Sequence, residues 1–236
     1  MSKVIKEFSR FAHQYDQHNE IQKQVAKTLI SKIPSSHYKN ILDLGCGSGA
    51  VVANLDKSKM TYDELTAFDS SKSMLDRHPS SEKIIKVCDD FNHKDFLKYL
   101  PQDHYHILIS SSAIQWSTNL GELLNGLSSL ADKAYFAIFT SGTFKTLHQT
   151  ANVSSPIYSA EYLKELMEVY YSNLEFELHS YTLHFDSVRE MFRYIKKSGV
   201  SAGEKKLGFK ETKRLMESYP LDYLEFEVLF VEAKKM

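Results

Sequence analysis

Ile41-Leu42-Asp43-Leu44-Gly45-Cys46-Gly47-Ser48-Gly49 is an apolar run carrying one acid, followed by three glycines at alternate positions. The apolar residues read as a buried parallel strand, the glycines as a tight turn, and residues 49–55 as the helix that follows. Each glycine removes a Cβ where the chain must turn sharply or lie close to a ligand. The spacing is D-x-G-x-G-x-G, not the G-x-G-x-x-G of dinucleotide-binding folds. An acid at the strand end suits a ligand with a cationic amine better than one with a pyrophosphate. S-adenosylmethionine is such a ligand.

A second acid stands where this reading needs one. Glu64-Leu65-Thr66-Ala67-Phe68-Asp69 has the pattern of the next strand. It ends in Asp69 about twenty residues after the glycine turn, the place of an acid that grips ribose hydroxyls. The competing role for Asp69 is to cap a helix beginning near Ser71–Ser73, and the preceding strand and glycine turn favour the ribose. Further strands are expected at 40–44, 83–88, 104–111 and 133–140, with helices near 72–77, 92–99 and 119–130. Strand and helix alternating at this spacing make a doubly wound sheet with right-handed crossovers. Ligands in such sheets sit at the carboxyl ends of the strands. Asp43, Asp69, Asp89 and Ser110 all fall at or near those ends, so the pattern converges on one crevice.

An amphipathic helix is expected over 16–33, with Ile21, Val25, Leu29 and Ile33 near one face and Pro34 ending it. After Phe139 the alternation loosens. A helix near 159–171, a strand from about 174 to 184, short helices at 187–198 and 210–218, and a terminal strand over 223–231 follow. The two late strands should pair antiparallel at the sheet edge, leaving the helices between them as an insertion over the crevice. The expected fold is therefore α/β and Rossmann-like, a seven-stranded mixed sheet with an antiparallel last strand and a helical insertion. It divides into a helical lead-in (1–35), a cofactor-binding half (36–141) and a substrate-side half (142–236) with the insertion at about 186–218, all within one domain.

Composition narrows the classes. The 236 residues are 42% hydrophobic and 25% charged, values of an ordinary globular protein. A net charge of −1 argues against a general nucleic-acid binder. No apolar run is long enough to span a bilayer, and the first residues lack the apolar segment of a secretory signal, which points to the cytoplasm. Two cysteines, Cys46 and Cys88, make neither a disulfide framework nor a zinc site, and no metal is expected. One segment stands apart: from Arg189 to Arg214 there are nine Lys or Arg against three Glu. Such a run is either a solvated helix face or a cationic lid for an acidic substrate or carrier.

Over most of its length the chain resembles the class I S-adenosylmethionine-dependent methyltransferases. Several stretches resemble one family within that class, BioC, the malonyl-acyl carrier protein O-methyltransferases of biotin synthesis. Phe8-Ser9-Arg10-Phe11-Ala12-His13-Gln14-Tyr15-Asp16-Gln17-His18 is similar to its F-x-R-x-A-x-x-Y-[ED]-x-H lead-in. Ser110-Ser111-Ser112-Ala113-Ile114-Gln115-Trp116 resembles S-N-x-A-[VI]-Q-W, with Ser111 in place of Asn. Gly142 to Gln149 resembles G-[ST]-x-x-E-L-H-x, with Thr146 in place of Glu. Phe185-Asp186 with Arg193, Lys196 and Gly199 resembles its insertion helix, and Tyr219-Pro220-Leu221-Asp222-Tyr223 its Y-P-L-T-Y entry to the last strand.

The resemblance implies transfer of a methyl group from S-adenosylmethionine to the free carboxyl of a malonyl thioester on acyl carrier protein or coenzyme A, leaving S-adenosylhomocysteine. Asp43 and Gly45 would serve the methionine end, within a turn that includes Cys46, Gly47 and Gly49. Asp69, with Ser70 and Met74 beside it, would serve the ribose. Asp89 would take the adenine amine, with Asp90 its competitor for that role and Phe91 stacking nearby, and Ser110 would stand at the end of the fourth strand. Tyr15 would close the pocket from above. Arg193 would hold the substrate carboxylate, Gln115, Trp116 and His148 would line the acyl pocket, and Lys196, Lys197, Lys205 and Lys206 would meet an acidic carrier. An ionised carboxylate needs no general base, and no Ser/His/Asp or Cys/His constellation is evident. The competing readings are a methyltransferase of the same fold with another acceptor, a regulatory module that binds the cofactor without turnover, and a nicotinamide-dependent oxidoreductase.

Overall fold

A computed structural model describes residues 19–197 and 209–236. The decisive run Ile41–Leu44 is the fully buried half of strand β1 (His37–Leu44). It lies at the centre of a seven-stranded sheet with β2 (Thr61–Asp69), β3 (Ile84–Cys88), β4 (Tyr105–Ser111), β5 (Ala131–Phe139), β6 (Tyr171–His184) and β7 (Tyr223–Lys235), in the order β3-β2-β1-β4-β5-β7-β6. The pairs from β3 to β5 are parallel, whereas β7 runs antiparallel to both β5 and β6. The strand order reverses between β1 and β4, the place where doubly wound sheets bind ligands.

Strand parity distributes the core. Ile41, Leu65, Ala67, Ile107 and Ile109 face one side of the sheet. There they pack under helix α1 (Glu20–Lys32) through Ile21, Val25 and Leu29, and under α2 (Ala50–Leu55) through Val51, Val52 and Leu55. Leu42, Leu44, Phe68 and Leu108 face the other side. There they meet α4 (Leu120–Ser128) through Leu120, Leu123, Leu124 and Leu127, and α6 (Ala160–Tyr170) through Leu163 and Met167. The remaining helices are α3 (Lys72–Leu75), α5 (Lys145–Ala151), α7 (Val188–Lys197) and α8 (Phe209–Ser218). Met191, Tyr194 and Ile195 of α7 and Leu215 of α8 join the α1-side core. Helices α7 and α8 are thus packed onto the sheet rather than standing away from it.

Two local expectations change. The helix expected over 92–99 reduces to a 3₁₀ turn at Phe96–Tyr99. Asp90 Oδ1 accepts from both the backbone N–H and the side-chain amide of Asn92, and Asp89 Oδ1 pairs with His93 Nδ1 at 2.6 Å. Such local bonds offer the backbone an alternative to helix. Pro101 then ends the segment by restricting the residue before it. Second, β6 starts at Tyr171 rather than near 174, with a register shift between Ser172 and Glu175 that lets the strand continue from the end of α6.

Candidate functional site

The glycine turn is pinned to the end of β2. Gly45 and Cys46 both donate backbone N–H bonds to the Phe68 carbonyl, at 2.8 and 3.0 Å. Gly45 has φ +78°, and a Cβ there would overlap the Cβ of Ala113 at the end of β4. Gly47 has φ +54°, and a Cβ there would meet nothing within 4 Å. The two glycines therefore serve different ends. Gly45 lets two strand ends meet, and Gly47 leaves backbone open to the space above the turn.

That space is an open pocket of mixed polar and apolar lining. Gly45, Cys46, Gly47 and Ser48 form its floor, and Asp69, Ser70, Ser71 and Met74 come from the end of β2 and the start of α3. Asp90, Phe91 and Asn92 follow β3, Ser111, Ser112, Ala113 and Trp116 follow β4, and Asn19 and Gln22 come from the start of α1. Of the expected cofactor residues, Gly45, Cys46, Gly47, Asp69, Ser70, Met74, Asp90 and Phe91 are brought together on this wall.

Asp43, Gly49, Asp89 and Ser110 do not line it. Asp43 is fully buried beneath the turn, and neither of its carboxylate oxygens has a hydrogen-bond partner. Burial pushes its carboxyl well above the usual range, and the neighbouring Asp69 charge adds to the shift. Ser110 is also buried, donating to the Leu44 carbonyl at 2.8 Å and so tying β4 to β1. Gly49 starts α2 and faces Pro79 and His78. Asp89 accepts from the Asp90 backbone N–H at 2.8 Å and from His93.

Asp69 braces the glycine turn and does not itself cap α3. Its Oδ2 accepts from the Gly47 backbone N–H at 2.9 Å and its Oδ1 from that of Ser71 at 2.8 Å, while the residue lines the pocket. Ser71 itself is the cap of α3, accepting from the Met74 N–H. A carboxylate has about four lone-pair sites, so two backbone donors leave capacity for hydroxyls. Cys46 sits beside two acids, and burial followed by the Asp43 and Asp69 charges pushes its thiol well up. It packs as a small apolar side chain and is no nucleophile.

Beyond the end of β4 the chain makes a 3₁₀ turn, Ile114–Trp116, that sets Trp116 on the pocket wall and buries Gln115. Gln115 donates to the Ser112 carbonyl at 2.8 Å, and its Oε1 has no partner. Ser112 holds φ +61° with its hydroxyl oxygen buried and unpartnered, a strained backbone at the site's edge. His148 is buried on α5. Arg189 and Arg193 are exposed on α7 and do not line the pocket. Tyr15 and the Phe8–His18 motif lie outside the described residues, as do Lys205, Lys206 and the side chains of Lys196 and Lys197.

Sequence reasoning did not find Asn19, Gln22, Ser48, Ala50, Val51, Ser71 or Asn92. The polar members sit among apolar helix positions or in turns, where they read as caps. Among the described residues no group of three or more His, Cys, Asp or Glu could hold a metal, and no helix is long and apolar enough to cross a membrane.

A floor of open glycine backbone, acids at the ends of β2 and β3, and an unpaired buried acid under the turn fit a nucleoside with a cationic amino-acid arm. Residues 41–133 match a family described as a methyltransferase domain. The chain is a class I S-adenosylmethionine-dependent methyltransferase, and S-adenosylmethionine is its cofactor. More narrowly, it is similar to malonyl-[acyl-carrier protein] O-methyltransferases. The one from Bacillus cytotoxicus is 26% identical over 216 residues, covering 83% of this chain and 75% of that protein. The one from Pseudescherichia vulneris is 30% identical over 173 residues, covering 69% and 64%. Among solved structures, a SAM-dependent methyltransferase from Archaeoglobus fulgidus shares the fold at a TM-score of 0.56 and 16% identity, covering 95% of this chain and 98% of that one.

Proposed function

We propose that this chain methylates the free carboxyl of a malonyl thioester carried by acyl carrier protein, an early step of biotin synthesis. The observation that carries the reading is the run of relatives bearing that activity in their names, whose matches extend over 83% of the chain and so beyond the cofactor half. When bound, the cofactor supplies an electrophilic methyl on a sulfonium, which an ionised carboxylate attacks without a general base. The chain's own work is positioning and exclusion of water.

In this reading the glycine turn and the buried Asp43 receive the methionine end, and Asp69 takes the ribose hydroxyls. Asp90 and Phe91 flank the adenine, because of the two neighbouring acids it is Asp90 that lines the pocket. Trp116, Gln115 and His148 shape the acyl side beyond β4. Arg193, exposed on α7, presents a guanidinium that can hold both oxygens of the malonyl carboxylate as it enters. Arg189 and the lysines of the insertion raise the rate of encounter with an acidic carrier.

Intact-mass analysis after incubation with S-adenosylmethionine tests this. Malonyl-carrier protein should gain one methyl and acetyl-carrier protein none. In the same assay Arg193→Ala should lose turnover by about a hundredfold while still binding S-adenosylhomocysteine, as loss of a bidentate charged contact would produce. No methyl on the malonyl species, with cofactor binding intact, would remove the acceptor assignment. Unchanged turnover in the variant would remove Arg193 from it.

A further inference from the structure

Asn19 is the N-cap of α1 yet makes no side-chain cap bond. The side chains of Ser71, Asn119 and Ser159 at the starts of α3, α4 and α6 all accept the expected backbone N–H. Asn is among the best capping residues, so leaving the bond unmade needs a reason. Asn19 is 2% exposed and Gln22 8% exposed; both line the cofactor pocket, and the amide oxygen of each is buried with no partner. Gln22 occupies the third helical position, from which a capping box would send its side chain back to the cap residue. Two buried amide oxygens left unsatisfied are costly unless something donates to them.

The fold limits what that donor can be. S-adenosylmethionine carries hydrogen-bond donors only at the adenine amine, the ribose hydroxyls and the α-ammonium. The acids at the ends of β2 and β3 stand on the other flank of β1 from the strands that α1 covers, since α1 packs over β4, β5 and α2. Asp43 shares with Ile41 the sheet face on which α1 lies. The positive end of a helix dipole disfavours a lone cation but suits a zwitterion whose carboxylate meets it.

We infer that Asn19 and Gln22 are the amino-acid clamp of the cofactor site, their amide oxygens accepting from the α-ammonium of the methionyl arm above Asp43. The clamp rests on the S-adenosylmethionine reading but is independent of the methyl acceptor. It also explains why a residue ahead of the glycine motif is built into a cofactor site whose other walls are strand ends.

Calorimetric binding of two ligands tests it on the full chain. S-adenosylhomocysteine has the amino-acid arm, whereas 5′-methylthioadenosine keeps the adenine, ribose and thioether without it. Gln22→Met keeps the side-chain length and removes the acceptor. It should weaken S-adenosylhomocysteine about tenfold, the loss expected for a bond to a charged donor, and leave 5′-methylthioadenosine unchanged. Asn19→Asp retains the cap chemistry and adds charge, and should hold or tighten S-adenosylhomocysteine, again without effect on 5′-methylthioadenosine. Equal weakening of both ligands, or of neither, in Gln22→Met would overturn the clamp, as would an Asn19→Asp effect shared by both. Failure of the unaltered protein to bind S-adenosylhomocysteine would overturn the cofactor reading with it, and failure to methylate a malonyl thioester would touch neither.

Discussion

Asp43 shows how one residue can be set against the stability of its own fold. It is fully buried, both oxygens lack partners, and its carboxyl is held well above the usual range by burial and by Asp69. A raised folded pKa means the neutral acid is favoured in the free protein. Stability is then full at low pH and falls as pH rises through that raised pKa, where a charge must be buried. A cation bound above the turn reverses the preference. Asp43→Asn should therefore raise the melting temperature of the free protein at pH 8 by several degrees and flatten its fall between pH 5 and 8. The same variant should bind S-adenosylhomocysteine at least tenfold more weakly. Equal pH slopes in the two proteins would show that Asp43 does not carry the effect. The acid's position was legible because an apolar strand rarely admits one; its isolation was not, since that depends on which side chains fail to reach it.

At the scale of elements, the glycine turn makes a sharper prediction. Gly45→Ala meets both a left-handed backbone and the Cβ of Ala113, whereas Gly47→Ala meets only the backbone cost. Denaturant unfolding should find Gly45→Ala destabilised by about 3 kcal/mol and Gly47→Ala by about 1 kcal/mol. Gly47→Ala should nonetheless lose cofactor affinity, because its methyl enters the pocket. Similar stability losses in the two would contradict the separate roles assigned to them. The elements that could be read in advance are those whose pattern is set by burial: β1, β2, β4, β5 and the apolar face of α1. The segment 92–99 misled because its apolar spacing is helical, while Asp89, Asp90, Asn92 and His93 bond locally instead. Helix α5 escaped notice because Thr, His and Gln there carry weak helix signals, and Phe144 at its start holds φ +57°, uncommon for an aromatic.

Across the described residues, a sheet with helices on both faces opens a crevice at the carboxyl ends of β1 to β4, and the pocket lies there. The convergence of Asp43, Asp69 and Asp89 on those ends followed from strand polarity alone. The choice of Asp90 over Asp89 for the pocket wall, and the turning of Asn19 and Gln22 inward, required the packed structure. The insertion helices add their apolar faces to the α1-side core and leave Arg189 and Arg193 at the surface.

The most direct measurement follows an isotopic label in the methyl group of S-adenosylmethionine. After reaction with malonyl-carrier protein, label should travel with the carrier and be released as methanol by mild alkali, as a carboxyl methyl ester requires, with none on acetyl-carrier protein. Label that remains with the cofactor, or that survives alkali on the carrier, would contradict carboxyl methylation by this protein.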